Sequence, residues 1–200
     1  MRKVMCAVVV LCFMSVGGYA QSVALAFGDL KWLGGEKTLQ FEFSYEDMQV
    51  GKMSEAEYVE KKVTEYNKKE AGRGDAWKKA WENDRKERFE PKFLELFDKY
   101  MSEKGITSAA EGAKYVVKVN TNFTEPGFNV GVVRRNASVD VVCTVVEIAT
   151  GNKVAVVKVR DASANSFWGT DFDSGYRLQE SYAKAGRELA KFLIKKAKLK

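Results

Sequence analysis

Between Asn165 and Gly175 the sequence sets Phe167, Trp168 and Phe172 beside Asp171 and Asp173, with glycines at both Gly169 and Gly175. Aromatic rings on a loop offer flat apolar area, and neighbouring carboxylates accept hydrogen bonds. The stretch is therefore a candidate recognition surface. A structural role for the same residues has the rings folded back over the end of a sheet, with Asp173 or Ser174 capping the following helix. Asp171-Phe172-Asp173-Ser174-Gly175 opens like a calcium loop. Its ninth position is Gln179 and its twelfth is Tyr182, where a bidentate glutamate is needed, so no metal is expected there.

Three further groups could bind something. Trp77 and Trp81, one helical turn apart, suit either a sugar platform or a pair of core anchors. Arg134-Arg135 could hold a carboxylate or phosphate, or stand solvated at the entrance of a strand. Residues 177–200 hold eight Lys/Arg against two acids. Their cations Lys191, Lys195, Lys196 and Lys198 suit a helix C-terminus, and equally anionic lipid headgroups or acidic envelope polymers.

Other chemistries lack their residues. There is no histidine in the 200-residue chain, so no Ser-His-Asp or Cys-His arrangement can form. Cys143 is the one cysteine beyond residue 12, which leaves no intramolecular disulfide and no thiolate cluster for zinc. No phosphate-cradling glycine loop of the Walker or dinucleotide type occurs, and no cofactor is expected. Carboxylates are plentiful at 27, so a pair of acids cleaving a glycan remains open to the sequence.

Arg2 and Lys3 lead an apolar run from Val4 to Val16 that ends at Gly18-Tyr19-Ala20, the pattern of a cleaved export signal over residues 1–20. Lipidation takes a small residue before the acceptor cysteine, whereas Met5 precedes Cys6 and Leu11 precedes Cys12. The product is expected to be soluble in the periplasm or secreted. Residues 21–200 carry 31 Lys/Arg and 27 acids and read as a single domain. With the basic charge confined to one end and no aromatic-basic groove, nucleic acid is not expected as a partner.

The elements that must position these groups follow from periodicity. Leu39, Phe41, Phe43 and Tyr45 alternate with polar residues and predict a half-buried strand. Ser54 and Glu57 form a capping box, after which Val59, Val63 and Tyr66 predict the buried stripe of a helix. Gly72 and Gly74 break it and Asp75 is placed to cap the next helix. Pro91 opens a continuation carrying Phe93, Leu94, Phe97, Tyr100 and Met101, stopped at Gly105. Residues 52–104 interleave 14 basic and 13 acidic side chains, the mark of exposed helix faces.

From residue 114 the pattern turns to strands. Tyr115, Val117 and Val119 alternate, and Ala137, Val139, Val141, Cys143 and Val145 form the inward set of a second strand. Thr150-Gly151-Asn152 turns into a Val-rich return over residues 153–160. These predict a three-stranded antiparallel meander. A last helix starting near Tyr176 has Leu178, Tyr182, Ala185, Leu189 and Leu193 as its stripe. The expected fold is α+β, with a mixed sheet and helices packed on one face.

From Tyr115 to the C-terminus this layout resembles a broad group of exported bacterial domains. It is similar in turn to the small α+β domains of the LpoB-type penicillin-binding-protein activators and the CsgG/TolB amino-terminal fold. The likeness rests on the strand at Tyr115–Val119, the strand from Ala137-Ser138-Val139 to Val145-Val146-Glu147-Ile148, the Thr150-Gly151-Asn152 turn, the strand at Val154–Val159, and the helix opening Tyr176-Arg177-Leu178. Gly28-Asp29-Leu30-Lys31-Trp32-Leu33 and Phe89-Glu90-Pro91-Lys92-Phe93 resemble segments of exported proteins of Gram-negative bacteria. The resemblance implies an envelope module and transfers no catalytic residue.

Taken together, the sequence is expected to encode an exported protein that binds another envelope protein or a cell-surface polymer and is not an enzyme. Phe167, Trp168, Asp171 and Asp173 are its candidate contacts. The alternatives are a carboxylate-dependent glycan hydrolase, with Trp77, Trp81 or Trp168 as a sugar platform, and an anionic-lipid binder using the lysines of the last helix in peripheral membrane contact.

Overall fold

A computed structural model describes residues 21–130, 133–163 and 174–199. β1 (Ser22–Gly28) leads through one 3-10 turn into β2 (Thr38–Ser44), followed by the short strands β3 (Gln49–Val50) and β4 (Met53–Ser54). Next come α1 (Glu55–Asn67), α2 (Arg73–Asp84) and α3 (Glu90–Met101), the last two joined by a π turn over Arg85–Phe89. β5 (Thr107–Ala109) and β6 (Tyr115–Glu125) precede a small hairpin of β7 (Phe128–Val130) and β8 (Val133–Arg135). The long strands β9 (Ser138–Glu147) and β10 (Lys153–Ser163) and the helix α4 (Ser174–Ala197) complete the order.

The main sheet runs β1-β10-β9-β6-β2-β5, with β3 and β4 attached beside β6. β2 is parallel to β5 and β6, while β6, β9, β10 and β1 pair antiparallel, so the sheet is mixed. The expected meander is β6-β9-β10. Its strands are longer than predicted, and a hairpin stands where the sequence suggested a loop around Pro126-Gly127. Gly127 makes that hairpin's entry tight: at φ 67 it lies where a Cβ would strike the Arg135 carbonyl. Arg177 fixes the same corner to α4, its Nε donating to the Pro126 carbonyl at 3.0 Å and its Nη2 to Gly127 at 3.2 Å.

The alternation of the strands decides which side is core. Val119, Cys143 and Val157 stand in one register row and all three are fully buried. The predicted inward set Ala137, Val139, Val141, Cys143 and Val145 is buried throughout. Burial pushes the Cys143 thiol up to about 12, which leaves it protonated and unreactive. α4 lies across this face with Leu178, Tyr182, Ala185, Leu189 and Leu193 all buried, and begins two residues earlier than predicted. α3 packs beside it. Gly186 meets the Phe93 backbone so closely that a Cβ would overlap the carbonyl oxygen. Phe41 and Phe43 of β2 meet Phe93 and Phe97 edge-on, and Tyr182 stacks on Phe89 at 4.7 Å while sharing a 2.9 Å hydrogen bond with Thr121. On the other side the row Lys118, Thr144, Val156 is half-buried to exposed, because neither α3 nor α4 covers it.

Two expectations fail in the first helix pair. The capping box at Ser54 and Glu57 is present. Yet Val59, Val63 and Tyr66 are only half-buried, and α1 has no fully buried residue. α1 packs chiefly against α2, whose own sequence is polar, so its stripe meets one helix instead of a sheet and a helix. Asp75 is not the cap of α2 either. Gly72 holds that position at φ 80, and Asn67 of α1 accepts the Gly74 N–H at 2.6 Å while donating to Asp75 at 3.2 Å. The first turn of α2 is thus satisfied from the preceding helix.

Candidate functional site

Two bulges at one end of the sheet build a concavity lined mostly by polar residues. The β6-β9 register steps between Thr121 and Phe123, and the β9-β10 register steps between Val159 and Ala162. The second sets Arg160 and Asp161 against the single residue Asp140, which bends the strand and re-aims its side chains. Asp161 takes φ 50, a left-handed conformation uncommon outside glycine, and its N–H donates to Asp140 Oδ1 at 2.7 Å. The result is a cleft of about 860 Å³.

Phe123 and Glu125 from β6, Asp140 from β9, Arg160 and Asp161 from β10, and Arg135 from β8 converge there. Ser22, Ser138, Ser163 and Asn136 complete the lining with hydroxyl and amide groups. Glu125 is engaged twice, pairing with Arg135 at 3.1 Å and accepting the Gly127 N–H at 3.1 Å. Burial holds the Asp140 carboxyl above the usual carboxylate range, against the opposing pull of the Asp161 N–H and the Arg160 charge. Arg160 itself is exposed and makes no ion pair among the described residues. The lining can donate and accept hydrogen bonds in many directions, and Phe123 gives it one half-buried ring.

A second concavity, of about 810 Å³, lies between α1 and α2. Its inner end is a polar cluster organised by the π turn. Arg85 pairs with Glu55 and sits 4.4 Å over the Tyr45 ring, and Glu55 also accepts the Trp81 Nε1–H at 2.6 Å. Tyr45 reaches Glu90 at 3.4 Å. Burial raises both the Glu90 carboxyl and the Tyr45 hydroxyl, the latter well above its ordinary range. Glu55 is held by a guanidinium and an indole, and Arg85 in turn rests on the Tyr45 ring just after β2, so the cluster fastens the helix pair to the sheet.

The residues singled out from sequence scatter. Phe167, Trp168, Asp171 and Asp173 lie outside the described residues, although Ser163, the last described residue before them, lines the bulged cleft. Lys191, Lys195, Lys196 and Lys198 are exposed along the end of α4, with Lys191 resting 5.1 Å over the Tyr100 ring. Trp77 and Trp81 stack on one another at 5.6 Å and pack on Tyr58, with Trp81 buried, so they serve the α1–α2 contact. Arg135 does reach a cleft. Sequence reading missed Phe123, Asp140 and Arg160. The one available signal was the Arg160-Asp161 pair interrupting a Val-rich strand.

β1 presents a different kind of surface. No described strand pairs with its outer edge, and the strand has no charged residue or proline over Ser22–Gly28. Leu25 is 38% and Phe27 50% exposed, the latter under the Lys153 ammonium at 4.9 Å. Among the described residues no helix is long and apolar enough to cross a membrane, and no group of three or more His, Cys, Asp or Glu is placed to hold a metal ion.

No protein-family model matches the chain, and no curated protein matches it. Solved structures do. A PelC dodecamer from Paraburkholderia phytofirmans is similar at 11% identity and TM-score 0.37, over 82% of this chain and 97% of that one. A second PelC dodecamer from the same organism gives 11% identity and TM-score 0.33 over 82% and 96%. A minor lipoprotein from Acinetobacter baumannii gives 11% identity and TM-score 0.29 over 78% and 91%. At such scores the likenesses carry no argument about activity, ligand or assembly.

Proposed function

We propose that this chain is an exported, non-enzymatic binding protein of the cell envelope, periplasmic or secreted, that takes an extended segment of another envelope protein onto the free edge of β1. The observation that carries the reading is that edge. Sheet edges in soluble proteins are blunted by lysine, proline, β-bulges, inward-pointing charges or sheer shortness. The far edge follows that rule, since β5 has three residues. β1 has seven, all uncharged; its register steps at Ala26, between the exposed Leu25 and Phe27, so the regular free edge is Ser22–Leu25. A strand added there gains main-chain hydrogen bonds from the edge and side-chain specificity from the exposed Leu25 and Phe27. Phe167 and Trp168, with Asp171 and Asp173, supply a second contact in this reading.

The test is affinity purification from envelope extract with the tagged protein, beside a Leu25→Lys/Phe27→Lys variant and a Phe167→Ala/Trp168→Ala variant. Loss of the same partner from the lysine variant, with an unchanged melting temperature, supports strand addition at β1. Retention of every partner by that variant overturns it.

Two other readings each have one supporting observation. A carboxylate-dependent glycan hydrolase is favoured by Glu125 and Asp140 sharing the bulged cleft, and release of reducing ends that Asp140→Asn abolishes would establish it. An anionic-lipid binder is favoured by exposed Lys195, Lys196 and Lys198 at the end of α4. It predicts association with phosphatidylglycerol vesicles that falls steeply with salt.

A further inference from the structure

We propose that the bulged cleft is a saccharide-binding site, in which Phe123 stacks on a sugar ring while Asp140, Asp161 and Arg160 hydrogen-bond its hydroxyls. The site touches β1 only at Ser22, and the inference stands whether or not the outer edge of that strand takes another.

The lining selects the ligand class by elimination. Nine of its ten residues carry polar side chains, while their carbon stems and Phe123 present apolar surface as well, so the ligand must offer both hydrogen-bonding groups and an apolar face. Three carboxylates disfavour a polyanion, and two guanidinium groups disfavour a simple cation. A saccharide hydroxyl both donates and accepts, which matches a lining where Glu125, Asp140 and Asp161 accept and Arg135 and Arg160 donate. The carbon-bound hydrogens of a sugar ring make one apolar face, and Phe123 is the one aromatic side chain in the lining. A volume of about 860 Å³ exceeds a single hexose and suits a short run of a chain.

The frame of the site is fixed before any ligand arrives. Asp140 receives the Asp161 N–H, which keeps the bulge and the left-handed Asp161 in place, and Glu125 is held by Arg135 and Gly127. Arg160 is exposed and makes no ion pair within 4 Å among the described residues, although its charge acts on Asp140, so its guanidinium can donate to a ligand. Recognition groups held by the sheet need little ordering on binding.

The experiment is a titration of the purified protein, expressed from the full 200-residue sequence, with cellohexaose, the β-1,4-linked N-acetylglucosamine hexamer and maltohexaose. It is followed by amide chemical shifts, with polyglutamate and spermine titrated in parallel as charged controls. Saturable shifts at Phe123, Asp140 and Arg160 with one of the three sugars are expected. Phe123→Ala should weaken that sugar about tenfold, and Arg160→Ala, at an exposed position, several-fold without a change in melting temperature. Absence of saturable shifts with all three sugars overturns the assignment, as do shifts that neither variant alters. A saturable response confined to polyglutamate or spermine overturns it in favour of a charged ligand. Shortening of the oligosaccharide during the titration overturns it in favour of the hydrolase.

Discussion

α1 and α4 carry the same kind of sequence signal and meet opposite fates. Each has apolar residues recurring at three and four positions, yet α4 buries ten residues and α1 none. α4 lies on β9 and β10, with α3 along its side, so its stripe is enclosed by a sheet and a second helix. α1 meets α2, which contributes Trp77 and Trp81 but little other apolar surface. The difference teaches that periodicity says a helix has an apolar face and leaves open how much of that face is covered. Coverage is set by topology: α4 follows the long strands β9 and β10 and can pack back on them, whereas α1 follows the two-residue strand β4.

The largest expected effects lie on the α4 side. Leu189→Ala removes a fully buried side chain between sheet and helix, and should lower unfolding free energy by about 2–5 kcal/mol in urea titrations. A loss under about 1 kcal/mol would mean that α4 is held less tightly than its burial implies. Next in size is a matched pair of glycines. Gly186 touches the Phe93 backbone where α4 crosses α3, and Gly74 touches the Val63 backbone where α2 crosses α1. Alanine at either position gains helix propensity but must push two backbones apart. Gly186→Ala should cost about 1–3 kcal/mol of global stability. Gly74→Ala should instead raise amide hydrogen exchange in residues 55–84 alone, because that pair is fastened to the sheet through Arg85, Glu55 and Tyr45 at one end. Equal global losses from both would erase the distinction between the two helix pairs.

The same contrast explains what could be read beforehand. The meander, its inward residues, the α4 stripe and the Ser54–Glu57 cap were legible because each depends on a local pattern of period two, period 3.6 or a four-residue box. The cleft was not legible. Phe123, Asp140 and Arg160 are up to 37 residues apart in sequence and meet through two register steps, which leave no mark in composition. Asp75 was misread for a related reason. It has the right residue type for a cap, but Asn67 from the previous helix satisfies the amide instead.

Smaller effects belong to α1. Val63→Ala should cost less than about 1.5 kcal/mol, since the side chain is half-exposed before any truncation. The check is its urea midpoint beside that of Leu189→Ala, and a loss as large as the leucine's would show that α1 is part of the main core.

The smallest effect is a pH dependence at the start of α1. Ser54 donates to Glu57 from both its backbone N–H at 2.8 Å and its hydroxyl at 2.7 Å, which holds the Glu57 carboxyl below its usual range. The folded chain therefore keeps this carboxylate ionised at a pH where the unfolded chain has taken up a proton. Its contribution is fully present above the ordinary glutamate value and is lost as pH falls through the lower, folded one. Glu57→Gln retains an acceptor for the capping box but carries no charge to titrate. Thermal melts between pH 3 and 7 should thus show wild type losing its advantage over Glu57→Gln toward the acid end, with the two curves parallel above pH 6. Burial acts on Glu90 in the opposite direction, raising its carboxyl, so Glu90→Gln should gain relative to wild type as pH rises through the glutamate range. Opposite slopes from the two variants would separate a solvated helix cap from a carboxyl buried beside the π turn, and slopes of the same sign would refute that assignment of causes.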